Sequence, residues 1–411
     1  MKNLIEKTFA VALITLIVSC SLIPALATTL PPPDINAKTT RIESLEVPAV
    51  PDSYGDPDCR STQSISATSL GTDETLFVIR VESKNADDEN SETNTSEDDL
   101  AMLYMYEDYS TMSNKESDKY GTILLRNLVG HANGMAIDDE YLYVTCWDND
   151  KNDGNYNERK IVRISIDALW NIYNDDDVKD SIFKGELTAN SGGVTILPVL
   201  KSNGSVFTEK IVGISYFRNG KFFINLEATT DGDTYYLNFT KAEISDNGTP
   251  SNDQDDYLIV SDSATDKFQV VFNDAPNTFG QDIGYDPDCG LFIVRSYKEK
   301  ITYVDENGEE KEKYVPTTEN VIIWIRLDSL TGANRVYRND NSSYRIINVN
   351  KSSNIFDYYE LESVSIGSDN NMYACVNVLL SDSSYKDYKR DPIIKITRPD
   401  GSKFLGINIL N

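Results

Sequence analysis

The sequence predicts an all-β chain closed into a single five-bladed β-propeller, its blades four-stranded and antiparallel with long polar loop insertions. Three observations predict it. One short phrase returns five times, the copies are spread evenly over the chain, and the second apolar run of each copy has no polar face. The copies pair Ser66-Ala67-Thr68 with Leu76-Phe77-Val78-Ile79, and Gly134-Met135-Ala136-Ile137 with Tyr141-Leu142-Tyr143-Val144. The next three pair Gly213-Ile214-Ser215-Tyr216 with Phe222-Phe223-Ile224, Ile283-Gly284-Tyr285 with Leu291-Phe292-Ile293, and Val364-Ser365-Ile366 with Met372-Tyr373-Ala374. Counted between Phe77, Tyr143, Phe223, Phe292 and Tyr373, the intervals are 66, 80, 69 and 81 residues. Repeats of strands on that scale mean a closed radial array.

Taken in order, the chain starts with a segment that reads as a secretory signal, residues 1–27. Lys2 and Lys7 flank a short basic start, residues 8–18 are apolar, and Pro24 precedes the small-residue cleavage site Ala25-Leu26-Ala27. The stretch is too short for a membrane span, and no second apolar run of spanning length follows. The expected location is secreted and extracellular. The alternative is a lipoprotein anchored through Cys20, because Ile17-Val18-Ser19-Cys20 loosely matches a lipobox.

Residues 28–57 read as a stiff proline-rich leader, with Pro31-Pro32-Pro33, Pro48, Pro51 and Pro57, and with one stray strand over 41–47. Deleting residues 28–40 is expected to leave stability unchanged. The propeller domain is assigned to 58–411. Repeat two divides into strands at 133–137, 141–146, 160–166 and 194–200. Repeat five divides into strands at 361–366, 372–379, 393–397 and 404–409. A second strand apolar on both faces must be covered on both sides, which sheets stacked before and after it provide. A blade needs roughly 40–50 residues. The excess falls in polar insertions at 83–99, 148–158, 246–256 and 305–313, expected to be solvated loops. Asp56-Pro57-Asp58 and Asp286-Pro287-Asp288 read as turns.

Acidic residues number 66 against 38 basic ones, a formal net charge of −28. That excess repels nucleic acid and anionic membrane surfaces, so neither is an expected partner. Four cysteines follow the signal: Cys59, Cys146, Cys289 and Cys375. Pairing Cys146 with Cys375, or Cys59 with Cys289, would join repeats that are not neighbours in a ring of five. Cys146 and Cys375 are therefore read as small buried core residues.

In such a ring the first strand of each blade lines the central channel, and the residues just before it surround one mouth. Aligning the five copies places Ser64 and Ser66, His131 and Asn133, Lys210, Gln281 and Asp282, and Glu360 and Glu362 there. Convergent polar groups over an apolar scaffold are the default binding site, so His131, Asn133, Gln281, Asp282, Glu360 and Glu362 are the candidate ligand-binding residues. His131 is the one histidine of the chain. Glu360 and Glu362, two apart on an extended segment, point the same way. No catalytic residue, metal ligand or cofactor is assigned, since zinc-ligand spacing, Gly-x-Ser-x-Gly, phosphate loops and dinucleotide fingerprints are all absent. Asp148-Asn149-Asp150-Lys151-Asn152-Asp153-Gly154 resembles a calcium loop at three alternate oxygens. Its glycine comes one residue late and Arg159 stands where the closing glutamate should be, so calcium is expected at most weakly.

The trio Gly-His-Ala-Asn-Gly-Met (130–135), Gly-Gln-Asp-Ile-Gly-Tyr (280–285) and Glu-Leu-Glu-Ser-Val-Ser-Ile (360–366) resembles phrases in exported bacterial propellers of the helveticin-type bacteriocin and teichoic-acid-associated kind. The resemblance implies a propeller that works at a cell envelope by recognising surface polymer. The acidic balance departs from a family whose ligands are frequently anionic, so a neutral cell-surface or plant glycan, or a protein, is the expected partner. The expected function is a secreted, monomeric, non-enzymatic module binding a glycan or peptide at the channel mouth. The alternative is a polysaccharide-directed hydrolase using Asp282 with Glu360 or Glu362, and His131 as acid or base.

Overall fold

The computed structural model describes residues 35–45, 51, 59–70, 73–82, 100–111, 120–146, 160–178, 180–231, 234–246, 255–272, 278–286, 290–304, 308–326, 335–337, 344–349, 358–379, 391–398 and 401. The chain is nearly all β. Two strands open it, β1 (Ile35–Asn36) and β2 (Lys38–Leu45). A first group follows, β3 (Cys59–Leu70), β4 (Asp73–Glu82), β5 (Leu100–Glu107) and β6 (Tyr120–Arg126), paired antiparallel in that order. The second group is β7 (Gly134–Ile137), β8 (Tyr141–Cys146), β9 (Lys160–Ser165) and, after β10 (Phe183–Leu187), β11 (Val194–Lys201). β10 itself joins the outer edge of β6 in parallel.

The third group is β12 (Ile211–Arg218), β13 (Lys221–Asp231) and β14 (Thr234–Ser245). Its β14 carries both β15 (Tyr257–Val260) and β16 (Phe268–Phe272). β15 also pairs in parallel with β11, so the second and third groups share one hydrogen-bonded sheet. The fourth group is β17 (Thr278–Asp286), β18 (Gly290–Val304), β19 (Glu310–Arg326) and, past β20 (Arg335–Tyr337), β21 (Tyr344–Asn348). The fifth is β22 (Tyr358–Ile366), β23 (Met372–Leu379) and β24 (Asp391–Thr397).

The innermost strands touch in a closed cycle: β3 against β7, β7 against β12, β12 against β17, β17 against β22, and β22 against β3. Each carries the same small–large–small triplet: Ser64-Ile65-Ser66, Gly134-Met135-Ala136, Gly213-Ile214-Ser215, Asp282-Ile283-Gly284 and Ser363-Val364-Ser365. Side chains alternate along a strand, so the small residues share one face and the apolar ones the other. Small residues are required because the strands approach closely. A Cβ added to Gly134 would stand 2.7 Å from Gly213 Cα.

Opposite the third residue of each triplet lies one of the five marker aromatics. The pairs are Ser66 with Phe77, Ala136 with Tyr143, Ser215 with Phe223, Gly284 with Phe292, and Ser365 with Tyr373. All five aromatics are buried. Among the described residues the core falls into separate apolar clusters. Phe77 packs with Met135, Tyr143 with Ile214, Phe223 with Ile283, Phe292 with Val364, and Tyr373 with Ile65, each pair in its own apolar cluster between consecutive strand groups. The second strands are thus buried on both faces, as their sequence requires.

Several expectations are revised. The stray strand expected at 41–47 lies at Lys38–Leu45, and it takes the outer position beside β24, from Lys38 opposite Thr397 to Leu45 opposite Asp391. β1 pairs in parallel with β21, so residues 35–45 of the expected leader are sheet partners. The strand expected at 404–409 falls outside the described residues. The strand expected at 160–166 ends at Ser165, which caps a helix, α1 (Ile166–Tyr173), by accepting from Ala168 N at 3.4 Å. The insertion expected at 305–313 is shorter, because β18 and β19 form one long hairpin reaching Val304 and Glu310. Cys59, Cys146 and Cys375 are buried free thiols, and burial pushes the Cys146 thiol up to about 12. The signal, Cys20, Cys289, both Asp-Pro-Asp turns, and the insertions at 83–99 and 148–158 lie outside the described residues. Among the described residues no helix is long and apolar enough to cross a membrane.

Candidate functional site

An innermost strand has no sheet partner on its axial side, so its N–H groups need acceptors from elsewhere. Side chains of the neighbouring groups supply them. Ile65 N donates to Ser363 Oγ at 3.2 Å, Ala67 N to Ser365 Oγ at 3.0 Å, and Thr62 N to Asn377 Oδ1 at 2.8 Å. Met135 N donates to Asp282 Oδ2 at 3.3 Å, and Ser363 Oγ donates to the same oxygen at 2.7 Å. These bonds run between groups, and they fix the strands whose first residues form the mouth.

The mouth opens as a cavity of about 450 Å³. Every group contributes to its wall: Ser61 and Gln63 from the first, His131 and Asn133 at the second, Lys210 and Asn225 at the third, Gln281 from the fourth, and Glu360, Glu362 and Asn377 from the fifth. Leu226, Ala228, Tyr235 and Leu237 add an apolar side. Five of the six candidate residues, His131, Asn133, Gln281, Glu360 and Glu362, are brought together here, with Lys210.

His131 sits at the tip of the β6–β7 turn between two left-handed residues, Gly130 at φ 53° and Ala132 at φ 49°. Such a conformation is costly for alanine, and the turn is closed by Ala132 N donating to Val129 O at 3.0 Å. Gln281 Nε2 donates to Glu360 Oε1 at 2.8 Å, and Asn377 Nδ2 donates to Glu362 Oε1 at 2.6 Å. Both carboxylates are therefore held in fixed orientation.

Asp282 is the exception. It is fully buried and does not line the cavity. The ladder between β17 and β18 shifts between Gly280 and Ile283, a bulge that leaves Gln281 facing the mouth and turns Asp282 inward. Burial raises its carboxyl to about 8, while the Ser363 hydroxyl and the N–H groups of Ile283, Met135 and Ile214 pull the other way. Ser64 and Ser66, aligned with the mouth by sequence, are likewise buried behind its wall.

Asn225, Glu227 and Asn377 were not among the candidates, since they lie on second strands. Their signal is a polar residue within an apolar run, as in Ile224-Asn225-Leu226 and Val376-Asn377-Val378.

A second, more open cavity of about 640 Å³ lies between the second and third groups, beside Asp138, Tyr141, Tyr216 and Glu243. Arg163 Nη1 and Asp256 Oδ2 form a buried ion pair in its wall at 2.8 Å. Among the described residues no three histidine, cysteine, aspartate or glutamate side chains gather as a metal cluster.

No family model matches the chain, and no curated protein is similar to it in sequence. Solved structures do align over most of its length. A mannose phosphorylase from Leishmania mexicana is 10% identical, covering 91% of this chain and 92% of that one, at a TM-score of 0.39. A member of the DUF4221 family from Bacteroides vulgatus is 10% identical over 89% and 99%, at 0.34. The catalytic domain of an α-L-arabinofuranosidase from Coprinopsis cinerea is 9% identical over 89% and 98%, at 0.30. Likeness at these scores assigns neither family nor activity.

Proposed function

We propose that the five strand groups are the blades of one propeller, and that the chain is an exported recognition module binding a neutral glycan or a peptide at the channel mouth. One observation carries the reading: all five groups contribute polar side chains to a single cavity with one apolar side. Carboxylates accept, amides do both, and His131 can do either, a mixture that suits hydroxyl groups better than a polyanion. Tyr235 and Leu237 offer the apolar surface a sugar ring or aliphatic side chain would cover. The basic start, apolar stretch and small-residue site within residues 1–27 support export.

The test is a screen of neutral glycans and peptides, followed by calorimetry on a positive. Glu362→Gln and His131→Ala are expected to weaken binding roughly ten- to a hundred-fold, the effect of removing one buried partner, while Asp88→Asn changes nothing. Retained affinity in both mouth variants would put the site elsewhere.

A hydrolase at the same mouth is favoured by one observation only, that Glu360, Glu362 and His131 share the cavity. Asp282, enclosed behind its wall, is not part of that reading. Turnover of a polysaccharide that Glu362→Gln abolishes would select it.

A further inference from the structure

Four of the five innermost strands carry one extra residue at the same place, where the small–large–small triplet begins. The ladder to the second strand shifts at Gln63 in β3, at Val212 in β12, across Gln281 and Asp282 in β17, and at Glu362 in β22. In the second group the corresponding residue is Asn133, which immediately precedes β7. A bulge re-aims the side chain it frees, and Gln63, Asn133, Val212, Gln281 and Glu362 all line the mouth. The mouth is therefore ringed by one such residue from each group, with a single carboxylate among the five.

The ring is rich in acceptors. Gln63 Nε2 donates to Ser61 Oγ and Gln281 Nε2 to Glu360 Oε1, both at 2.8 Å, which holds the donor end of each amide at the wall. Asn377 Nδ2 is likewise engaged, with Glu362 Oε1 at 2.6 Å and Ser61 Oγ at 3.3 Å. Asn133 and Asn225 line the same wall, and among the described residues their Oδ1 atoms have no hydrogen-bond donor. Three carboxylates, Glu227, Glu360 and Glu362, stand in the lining against one lysine, Lys210, and the titratable His131. Glu362 is only 3% exposed, and a carboxylate so enclosed is best served by a positively charged donor.

We propose that the mouth takes a hexosamine with a free, protonated amine, its ammonium directed at Glu362 and Glu360 and its ring covering Tyr235 and Leu237. This rests on the reading of the mouth as a glycan site and changes one property of that ligand, its charge. An ammonium carries three donors and no acceptor, the complement of this ring. The hydroxyls on neighbouring carbons of the sugar serve the amides around it. A lysine side chain offers the same ammonium but lays methylenes against those amides, a costly exchange for polar groups in an enclosed site.

The experiment is titration calorimetry on the full chain at about pH 6, where an amine is protonated. The probes are a glucosamine trisaccharide, its fully N-acetylated counterpart, a glucose trisaccharide and a lysine tripeptide. The glucosamine sugar is expected to bind at least about ten-fold more tightly than either neutral sugar, a preference that added salt reduces. Glu362→Gln and Glu360→Gln should each shrink the preference several-fold and leave the neutral sugars nearly unaffected, while Glu243→Gln, at the second cavity, should preserve it. Should Glu362→Gln fail to fold, as read by circular dichroism, the half-buried Glu360 decides. Equal binding of charged and neutral sugars would overturn the proposal and leave the glycan reading standing. A preference that survives both mouth variants would overturn it too, since the amine would then sit elsewhere. Heat from none of the sugars, whether or not the tripeptide binds, would overturn both readings.

Discussion

Ser363 donates from Oγ to Asp282 Oδ2 at 2.7 Å, joining the innermost strands of the fourth and fifth groups. The same carboxylate oxygen takes the Met135 N–H from the second group. One side chain thereby ties three of the five groups at their narrowest point, and it does so from full burial.

Stability should accordingly fall with rising pH through the range where this carboxyl titrates. Its folded pKa is about 8 against an ordinary 3.8, so the folded chain holds a proton that the unfolded chain releases. The contribution is fully present below about pH 4 and is lost as pH rises through 8, with a slope of up to about 1.4 kcal/mol per pH unit. Asp282→Asn keeps a neutral side chain of the same shape and should flatten that slope. The check is urea unfolding of both forms from pH 5 to 9 in chelator-containing buffer. Parallel slopes in the two proteins would count against it.

A methyl group on Gly134 would stand 2.7 Å from Gly213 Cα and require backbone to move, and one on Gly213 would stand 2.9 Å from Asp282 Oδ1 and require that buried carboxyl to shift. Gly134→Ala and Gly213→Ala should each destabilise by about 1–3 kcal/mol, as overpacking does. Gly192→Ala, with nothing within 4 Å of the added carbon, should be neutral within about 0.5 kcal/mol. Denaturant midpoints at unchanged slope would measure all three.

Removing residues 28–45 should lower the unfolding free energy by several kcal/mol, because β24 loses its partner strand and Ala37 leaves the cluster around Ile394 and Ile396. Removing residues 28–34 alone should change nothing measurable. Thermal midpoints of the two truncations make the comparison.

Asn377 serves two groups at once, accepting from Thr62 N and donating to Glu362. Asn377→Leu removes the acceptor of the Thr62 N–H and one donor to the Glu362 carboxylate. A loss of about 1–3 kcal/mol of stability is expected, together with weaker binding of any ligand that Glu362 contacts. If affinity is kept in a folded Asn377→Leu protein, the orientation of Glu362 does not matter to binding.

The strand groups were legible because Phe77, Tyr143, Phe223, Phe292 and Tyr373 occupy one register position, and register is local. The mouth was legible for the same reason at His131, Asn133, Gln281, Glu360 and Glu362. Asp282 was misplaced because a bulge shifts the facing of residues without altering their composition. The pairing of β2 with β24 was not legible, since no local pattern connects segments so far apart in sequence. Asn225 and Asn377 were passed over because attention to first strands hides what second strands bring to the same cavity. The helix over Ile166–Tyr173 was within reach, with Ser165 as its cap and Asp167 in its first turn.

The bond between Thr397 and Lys38 spans 359 positions. A ribosome making this chain supplies β24 long after β2, so the strand Lys38–Leu45 waits for its partner while the sheets between them are made. Contacts so distant in sequence are slow to form. Until they do, the two strands stand without each other, and the pairing of the outer sheet waits for the far side.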